Sequence, residues 1–305
     1  MAERKHSILT VFAVLAGIGL FLGTIMILIL KVFSPVSNLS FSEKIGVIPI
    51  EGAILDSRNI LTQLVEFKKD KGIKVVILRI NSPGGAVGPT QEIYREVLRT
   101  TETKGVIASL GGVAASGGYY IAAAAEKIVA NPGTITGSIG VLMEFVRFEE
   151  LLNKIGVRLE VLKSGEFKDI GSPHRELTVR DKELINALIG DIQEQFVEAV
   201  ANGRNLPLEK AYEIADGRIF SGARAKELGL VDVLGNFQDA VEIAKKMAGI
   251  EGDVTLVYPK RSKLELWDLF LERTAGFLVK CLKGMRTRLE YRWSGLLAHQ
   301  VSESY

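Results

Sequence analysis

One stretch near the amino terminus limits what this chain can fold into more than any other feature does. From Ile8 to Leu30 the sequence reads ILTVFAVLAGIGLFLGTIMILIL and holds no charged residue. A helix of about 20 apolar residues is long enough to cross the hydrocarbon core of a bilayer. A cleaved secretory signal is the alternative, but the apolar region of such a signal is only about 7–15 residues long. In addition, no small-x-small cleavage site follows Leu30 before Lys31. We therefore predict a retained transmembrane helix over residues 8–30.

The charges that flank this stretch predict its orientation. Arg4 and Lys5 precede it, whereas only Lys31 follows it closely. Because basic residues are enriched on the cytoplasmic side of membrane spans, we expect residues 1–7 in the cytoplasm and the bulk of the chain on the outer side. Residues 31–43 are rich in serine, which is typical of a linker.

The balance of residue types excludes several classes of protein. The 38 basic and 36 acidic residues give a net charge of +2, too balanced for a protein whose main partner is nucleic acid. Cys281 is the only cysteine, so neither an intrachain disulfide nor a metal site built from thiols can form. The three histidines, His6, His174 and His299, lie far apart in the sequence, which disfavours a histidine-rich metal site.

Apolar runs and helical patterns alternate after the linker. Short runs rich in valine and isoleucine predict buried strands, and longer stretches with apolar residues at helical spacing predict helices. This alternation is typical of a mainly parallel sheet covered by helices on both faces, an α/β fold. We assign this domain to residues 44–250 and a tail to residues 251–305. The predicted strands are 44–50, 75–80, 106–110, 127–130 and 159–162, and the predicted helices are 59–71, 89–103, 179–202 and 236–248.

The first of three glycine-rich loops, NSPGG at residues 81–85, directly follows the predicted strand 75–80. Paired glycines let a substrate approach the backbone closely, and they leave amide N–H groups free to point at developing negative charge. The loop is therefore a candidate oxyanion loop. Taken alone, such a sequence is more often a plain turn.

The second loop, GGVAASGGYY at residues 111–120, lies between the predicted strand 106–110 and the helical run IAAAAEK. Ser116 in this loop would stand at a helix N-terminus, where unpaired N–H groups create a positive potential. Its small neighbours leave room for an acyl group, which suits a nucleophile. The alternative is that Ser116 is merely an N-cap.

A serine nucleophile needs a base, and no histidine is well placed to supply one. His174 lies in the polar segment SPHREL and is better interpreted as a surface residue. Lys168, in KSGEFKDI, follows a predicted strand, but a lysine acts as a base only when burial lowers its pKa enough to leave the amine neutral. The third loop, TGSIG at residues 136–140, carries Ser138, whose hydroxyl could hold that amine. Reasoning from the residues alone does not bring Lys168 to Ser116.

Five segments, in order, resemble the signal peptide peptidase A family in its short bacterial form. They read NSPGG, AASGGYY, TGSIG, KSGEFKDIGSP and ADGRIFSGARAKELGLVD, and the likeness extends over residues 45–247. The resemblance implies a Clp-protease/crotonase-type α/β fold and an endopeptidase with a Ser/Lys dyad. The implied substrates are signal peptides left in the bilayer after cleavage and other small or unfolded peptides. Since the chain holds one copy of each segment, the resemblance also implies a homo-oligomeric ring in which adjacent subunits line shared clefts.

Residue by residue, the resemblance assigns Ser116 as the nucleophile and Lys168 as the general base. Ser138 matches the hydroxyl that orients the lysine. The oxyanion hole matches three glycines, of which two donate backbone N–H groups and one supports the loop: Gly85, Gly117 and Gly84. The implied reaction needs no cofactor and no metal, and nucleic acid is not an implied partner.

Together with the predicted span, the resemblance implies a single-pass protein of a bacterial cell membrane, with its catalytic domain on the extracytoplasmic, periplasmic side. Two alternatives from other classes remain at this point. One is an acyl-CoA enzyme on the same fold, although the glycine-rich loops offer no pair of carboxylates for the reacting carbon. The other is a membrane scaffold that has kept the fold without catalysis.

The segment after Pro259 lies outside the resemblance. Apolar residues recur at helical spacing from Trp267 to Leu289, and the stretch from Arg273 to Arg292 carries six basic residues against one acidic residue. We predict a basic amphipathic helix that packs on its own domain or a neighbouring subunit, or lies on an anionic membrane surface. The resemblance assigns it no role.

Overall fold

A computed structural model of the chain describes residues 17–26, 43–259 and 289–292, which belong to two units divided between Ser42 and Glu43. In the first unit, residues 17–26 form helix α1, whose side chains are exposed. This helix falls within the predicted span, and no described helix is both long enough and apolar enough to cross a bilayer. The rest of the predicted span, its flanking basic residues and the predicted linker up to residue 42 lie outside the described residues.

The second unit is built on a mainly parallel sheet, as the alternating pattern predicts. The described strands are β1 Lys44–Glu51, β2 Ile73–Ser82, β3 Gly84–Ala86, β4 Gly105–Ala115, β5 Lys127–Ala130, β6 Ile135–Gly137, β7 Leu142–Met143, β8 Ile219–Ser221, β9 Val233–Leu234, β10 Thr255–Val257 and β11 Leu289–Arg292. The main sheet has the order β10-β1-β2-β4-β5-β9, with parallel neighbours throughout. Strand β6 pairs parallel with the last residues of β4, and β8 pairs antiparallel with β6.

The centre of this sheet is buried on both faces. Ile77 of β2 lies between Val47 of β1 and Ile107 of β4, and all three side chains are shielded from solvent. A parallel strand covered on both faces needs apolar residues at successive positions, which the run VVIL of β2 supplies. Burying an aliphatic side chain of this size contributes about 1.5–3 kcal/mol. The central strands are therefore firm supports for the loops that follow them.

Helices cover both faces of the sheet. The described helices of this unit are α2 Arg58–Lys69, α3 Val87–Thr101, α4 Gly117–Ala123, α5 Glu149–Lys154, α6 Val179–Arg204, α7 Leu208–Glu213, α8 Gly222–Glu227 and α9 Phe237–Ala248. Helices α2, α3, α4 and α6 share one core with the face of β2 that carries Val76 and Leu78. Helix α9 shares a second core with the opposite face, which carries Val75 and Ile77. The predicted α/β class is confirmed.

Three expectations from the sequence need correction. The predicted strand Leu159–Leu162 belongs to no described strand, and Leu162 is 92% exposed. Strand β10 pairs with β1, so the sheet extends past the predicted domain end at residue 250. Residues 289–292, expected in the amphipathic helix, form a strand, and residues 260–288 of that prediction lie outside the described residues. Periodicity shows which side chains share a face, but it does not show whether a strand has a partner.

Two glycines of α6 should respond in opposite directions to an added methyl group. A Cβ on Gly203 would lie 2.0 Å from the carbonyl oxygen of Ala123 in α4, whereas one on Gly190 would meet nothing within 4 Å. Gly203→Ala should lower the free energy of unfolding by about 1–3 kcal/mol through overpacking. Gly190→Ala should raise it by up to about 1 kcal/mol through helix propensity. Thermal unfolding followed by circular dichroism measures both free energies of unfolding. Equal changes in the two variants would contradict the packing of α6 on α4.

Candidate active site

The loops predicted to carry chemistry meet where two neighbouring strands end. Ser82, the last residue of β2, pairs in register with Ala114 near the end of β4. Strand β3 follows β2 after a single residue, and Ser116 directly follows β4. Parallel α/β sheets bind their ligands at the carboxyl ends of strands. The structure therefore places the first two glycine-rich loops side by side at such an edge.

Ser116 lies in the turn between β4 and α4. Its backbone has φ 53° and ψ −119°, a left-handed conformation that strains a non-glycine residue by roughly 1–3 kcal/mol. Its N–H donates to the carbonyl oxygen of Gly137 and its own carbonyl oxygen accepts from Tyr120 N–H, both at 2.8 Å. The residue is fully buried, and its Oγ has no hydrogen-bond partner among the described residues. A strained strand-to-helix turn with an uncommitted hydroxyl is a geometry that nucleophilic serines adopt.

Gly117, the residue after the candidate nucleophile, has little room for a side chain. A Cβ there would lie 2.9 Å from Thr90 Oγ1 and 3.2 Å from both Gly84 Cα and Gly85 N. Thr90, in α3, is buried and donates to the carbonyl oxygen of Ala86 at 2.8 Å. The turn therefore packs on the NSPGG loop with backbone against backbone. Thr90 escaped the sequence reasoning, because only a polar residue on an otherwise apolar helix face could have pointed to it.

The backbone of Gly85 presents its N–H to the edge of β3 that faces away from Ile54. Ile54 donates to the carbonyl oxygen of Gly84 at 2.9 Å and accepts from Ala86 N–H at 2.8 Å. Since the hydrogen-bonding groups of an extended chain alternate between its two edges, the Gly85 N–H points away from Ile54. A Cβ on Gly85 would lie 2.1 Å from the carbonyl oxygen of Ile54, so only glycine fits. The Gly84 N–H is used within the loop, where it donates to Ser82 Oγ at 3.1 Å.

The third loop adds Ser138 to this cluster. Strand β6 pairs with the end of β4 so that Gly137 lies opposite Ala115. The next residue, Ser138, is buried, has φ 50° and donates its N–H to the carbonyl oxygen of Arg218 at 2.8 Å. Two serines with left-handed backbone conformations therefore follow two paired strands.

The structure does not join Lys168 to this cluster within one chain. The lysine lies in the 3-10 turn Glu166–Asp169, and it is exposed. It is not a partner of the Ser116 hydroxyl, which has none among the described residues. His174 contacts the hydroxyl of Ser172 in its own loop at 2.8 Å. The structure thus brings the two serines and the three glycines together and leaves the predicted base apart.

The neighbouring phenols do not replace a base. Tyr119 and Tyr120 lie in the first turn of α4, and both are buried. Burial raises the pKa of Tyr120 to about 12 and holds the pKa of Tyr119 well above its usual range. The Tyr119 hydroxyl also donates to the carbonyl oxygen of Leu230 at 2.8 Å. Both phenols stay protonated at neutral pH, so neither can accept the Ser116 proton.

An extended segment of the chain itself pairs with the edge of β3 that faces away from Ile54. Strand β11 runs antiparallel to β3, with Tyr291 opposite Gly85 and Arg292 opposite Gly84, and its other edge pairs with β7. The backbone groups that Gly85 directs away from Ile54 therefore face β11. This edge can take up a peptide backbone by strand addition. The helical spacing in the tail gave no sign of the strand.

A buried serine in a strained turn beside a strand edge that pairs with an extended backbone is an arrangement suited to acyl transfer, and comparisons with known proteins agree that the chain is a protease. Residues 99–251 match peptidase family S49, and residues 40–134 match the Clp protease family. The first match spans about half of the chain and includes Ser116, Ser138 and Lys168. The α/β sheet with its flanking helices is consistent with the Clp-type fold. The chain belongs to peptidase family S49.

Three relatives match most of the described domain. A protein of Synechocystis with a provisional protease name is 46% identical over 215 residues, which are 70% of this chain and 78% of the relative. A protein of Enterococcus faecium, provisionally named signal peptide peptidase SppA, is 40% identical over 62% of this chain and 55% of its own length. The chloroplastic serine protease SPPA of Arabidopsis thaliana is 35% identical over 75% of this chain and 34% of its own length. Family and relatives together make this chain a serine protease.

Gly117→Ala should impair catalysis through the packing of the two loops. The new methyl group would contact the backbone of Gly84 and Gly85, which cannot swing aside as a side chain can. A displacement of about 1 Å near reacting groups can lower kcat about 10²-fold, and we expect a loss of that order. In Gly88→Ala, the matched control in α3, the Cβ meets nothing within 4 Å, so kcat should stay unchanged. Hydrolysis of a leucine- and alanine-rich peptide measures both, and an equal kcat for the two variants would contradict the packing argument.

Proposed function

We propose that this chain is a membrane-anchored endopeptidase that uses Ser116 as nucleophile and Lys168 as general base. Its proposed substrates are remnant signal peptides and other small or unfolded peptides. The observation that carries the proposal is the buried hydroxyl of Ser116, which has no hydrogen-bond partner in the part of the chain that the structure describes. It lies in a strained turn packed on strand β3, whose edge takes up an extended backbone. A serine that served only as an N-cap would accept a hydrogen bond from the helix, and the Ser116 side chain accepts none.

The proposed reaction has two steps, acylation of Ser116 and hydrolysis of the resulting ester, and in each step the lysine accepts one proton and then donates it. Neutral Lys168 takes the proton of Ser116 Oγ as that oxygen bonds to the scissile carbonyl carbon, and the N–H groups of Gly85 and Gly117 donate to the oxygen that becomes negative. The Lys168 ammonium then protonates the leaving amine as the C–N bond breaks. Water attacks the resulting ester, gives its proton to the lysine and releases the acid, and that proton returns to Ser116.

The Lys168 side chain has to be shielded from solvent before it can act as a general base. An unperturbed lysine has a pKa of about 10.4, and a value near 7 requires about 5 kcal/mol of interaction that favours the neutral amine over the ammonium. Since Lys168 is exposed in the single chain, we assign the missing cover to a second copy in a homo-oligomeric ring whose adjacent subunits line shared clefts. A run of exposed apolar side chains just before the lysine supports this assembly. These residues are Ile155, Val157, Leu159, Val161 and Leu162.

The proposed location follows from the uncharged stretch over residues 8–30. A single pass with a cytoplasmic N-terminus would hold the peptidase domain on the extracytoplasmic side of a bacterial cell membrane. Signal peptides remain in that membrane after cleavage, and the Enterococcus relative carries a name for this activity. Strand addition at β3 recognises the backbone more than a particular sequence, which suits substrates that share only an extended, apolar character.

Ser116→Ala and Lys168→Ala should each abolish cleavage of a leucine- and alanine-rich signal peptide by the full chain in detergent. The wild-type rate should rise with pH, because only a neutral amine accepts the hydroxyl proton. Lys210→Ala, which alters an exposed lysine of α7, should keep the wild-type rate and pH profile.

Chelators should leave the wild-type rate unchanged, and ATP should not be required, since the proposed steps use only side chains and backbone of the protein. An absolute need for ATP would contradict the mechanism. If Ser116→Ala cleaves as fast as the wild type, Ser116 is not the nucleophile, and the scaffold alternative gains support.

Removal of residues 289–305 should free the edge of β3 for substrate. Strand β11 and an extended substrate would use the same backbone groups of Gly85, so the shortened chain should have a lower KM with an unchanged kcat. A chain that lacks only residues 295–305 keeps β11 and should retain the KM of the full chain. Equal KM values for all three chains would show that β11 does not compete with substrate.

A further inference from the structure

The turn that bears Lys168 has little regular structure around it. Glu166–Asp169 is a single 3-10 turn, and residues 157–163 before it form no described helix or strand. A general base nevertheless has to be held within hydrogen-bonding distance of the proton that it takes. The contacts that fix this turn therefore bear on the proposed reaction.

Arg175 connects the turn to helix α6. Its Nη2 donates to Asp169 Oδ1 at 2.8 Å, and its Nη1 donates to Asp181 Oδ2 at 2.5 Å. The Asp181 side chain is 1% exposed and forms a capping box with Thr178, whose N–H donates to Asp181 Oδ2 at 2.9 Å. Since α6 enters the main core from Ile192 onward, this guanidinium ties the residue next to Lys168 to the first turn of a continuous helix whose later turns are buried.

The same guanidinium neutralises a charge beside the lysine. Asp169 directly follows Lys168, and an unpaired carboxylate near an amine favours the protonated amine. Arg175 and then Lys163 lower the pKa of Asp169 well below its usual range by donating to Oδ1, each at 2.8 Å. Hydrogen bonds from Arg175 and from the Thr178 backbone lower the pKa of Asp181 to about 2. Both carboxylates thus stay ionised and paired with Arg175 over the pH range in which a lysine base would titrate.

The other charged groups around the turn pair mainly with one another. Arg180 of α6 donates to Glu166 at 2.6 Å and lies over the Phe167 ring at 5.3 Å. Arg147, from the segment before α5, pairs with Glu176 at 2.7 Å. The charged residues that take part in these ion pairs are Arg147, Glu149, Lys163, Glu166, Asp169, Arg175, Glu176, Arg180 and Asp181. Of these, Lys163 and Arg175 bond to the carboxylate next to Lys168.

We propose that Arg175 is a positioning residue for the reaction at Ser116. It fixes the turn bearing Lys168 against the start of α6, and it neutralises the carboxylate of Asp169 beside the lysine. The inference rests on the proposed function, since Arg175 acts through Lys168.

Arg175→Gln in the full chain tests both effects. The loss of the tie to α6 should lower kcat about 10²-fold with little change in KM. The less neutralised Asp169 should shift the rise of the pH–rate profile upward by roughly one unit. Arg175→Lys keeps the charge, so it should restore the profile but only part of kcat, because an ammonium lacks the fork that bridges two carboxylates. Arg224→Gln, which breaks an exposed ion pair with Glu227 in α8, is the control and should change neither.

A second substitution separates the positioning effect of Arg175 on the Lys168 turn from its neutralisation of the Asp169 carboxylate. Asp169→Asn, added to Arg175→Gln, should return the pH profile toward the wild type because no carboxylate remains beside the lysine, while kcat stays low because the tie to α6 is still broken. Thermal unfolding by circular dichroism verifies that each chain is folded. If Arg175→Gln does not fold, Asp169→Asn alone serves, since it leaves the Arg175–Asp181 pair intact and should lower kcat without an upward shift of the profile.

The outcomes separate this inference from the proposed function. If Ser116→Ala is inactive but Arg175→Gln keeps the wild-type kcat and pH profile, Arg175 has no positioning role. If Ser116→Ala is as active as the wild type, the proposed function fails and the role of Arg175 fails with it.

Discussion

The contact between Gly117 and the Gly84–Gly85 pair is the constraint on which the rest of the site depends. It brings backbone close to backbone, so a Cβ on Gly117 would crowd Gly84 and Gly85 at 3.2 Å, while a Cβ on Gly85 would lie 2.1 Å from the carbonyl oxygen of Ile54 on the other side. It also requires the ends of β2 and β4 to lie side by side, and Ser82 pairs with Ala114 there after an irregularity in the ladder that follows Ile80. The left-handed backbone of Ser116 is strained, and the surrounding core and its hydrogen bond to Gly137 hold it in that conformation.

Two physically different supports hold the proposed catalytic groups. Ser116 and the glycines stand at the ends of buried strands, where apolar packing restricts movement. The Lys168 turn is exposed and is held by ion pairs through Asp169 and Arg175. Water weakens such pairs far more than it weakens a packed core. The serine side is therefore held by the packed core of one chain, whereas Lys168 is exposed to solvent in that chain.

Particular residues show how far the sequence could predict this structure. The apolar runs of β2 and β4 predicted the sheet, and the glycine-rich loops after them predicted which segments would meet. Leu159–Leu162 has the alternation of a strand but no partner in the described structure. Arg175 was not singled out, because its role depends on where α6 begins and on how the chain turns between positions 169 and 181. Such contacts between a loop and a helix start leave no periodic signal.

By itself the sequence determined the α/β class, the strands that form the centre of the sheet and the loops that carry the candidate residues. These follow from local patterns, because burial on both faces demands apolar runs and close approach of backbones demands glycine. The tertiary structure decided the rest: that the Ser116 hydroxyl is buried with no partner among residues 17–26, 43–259 and 289–292, that Lys168 is exposed and does not bond to it, and that β11 lies along Gly85. These outcomes depend on contacts between residues distant in the chain, and a contact is set by where whole elements pack.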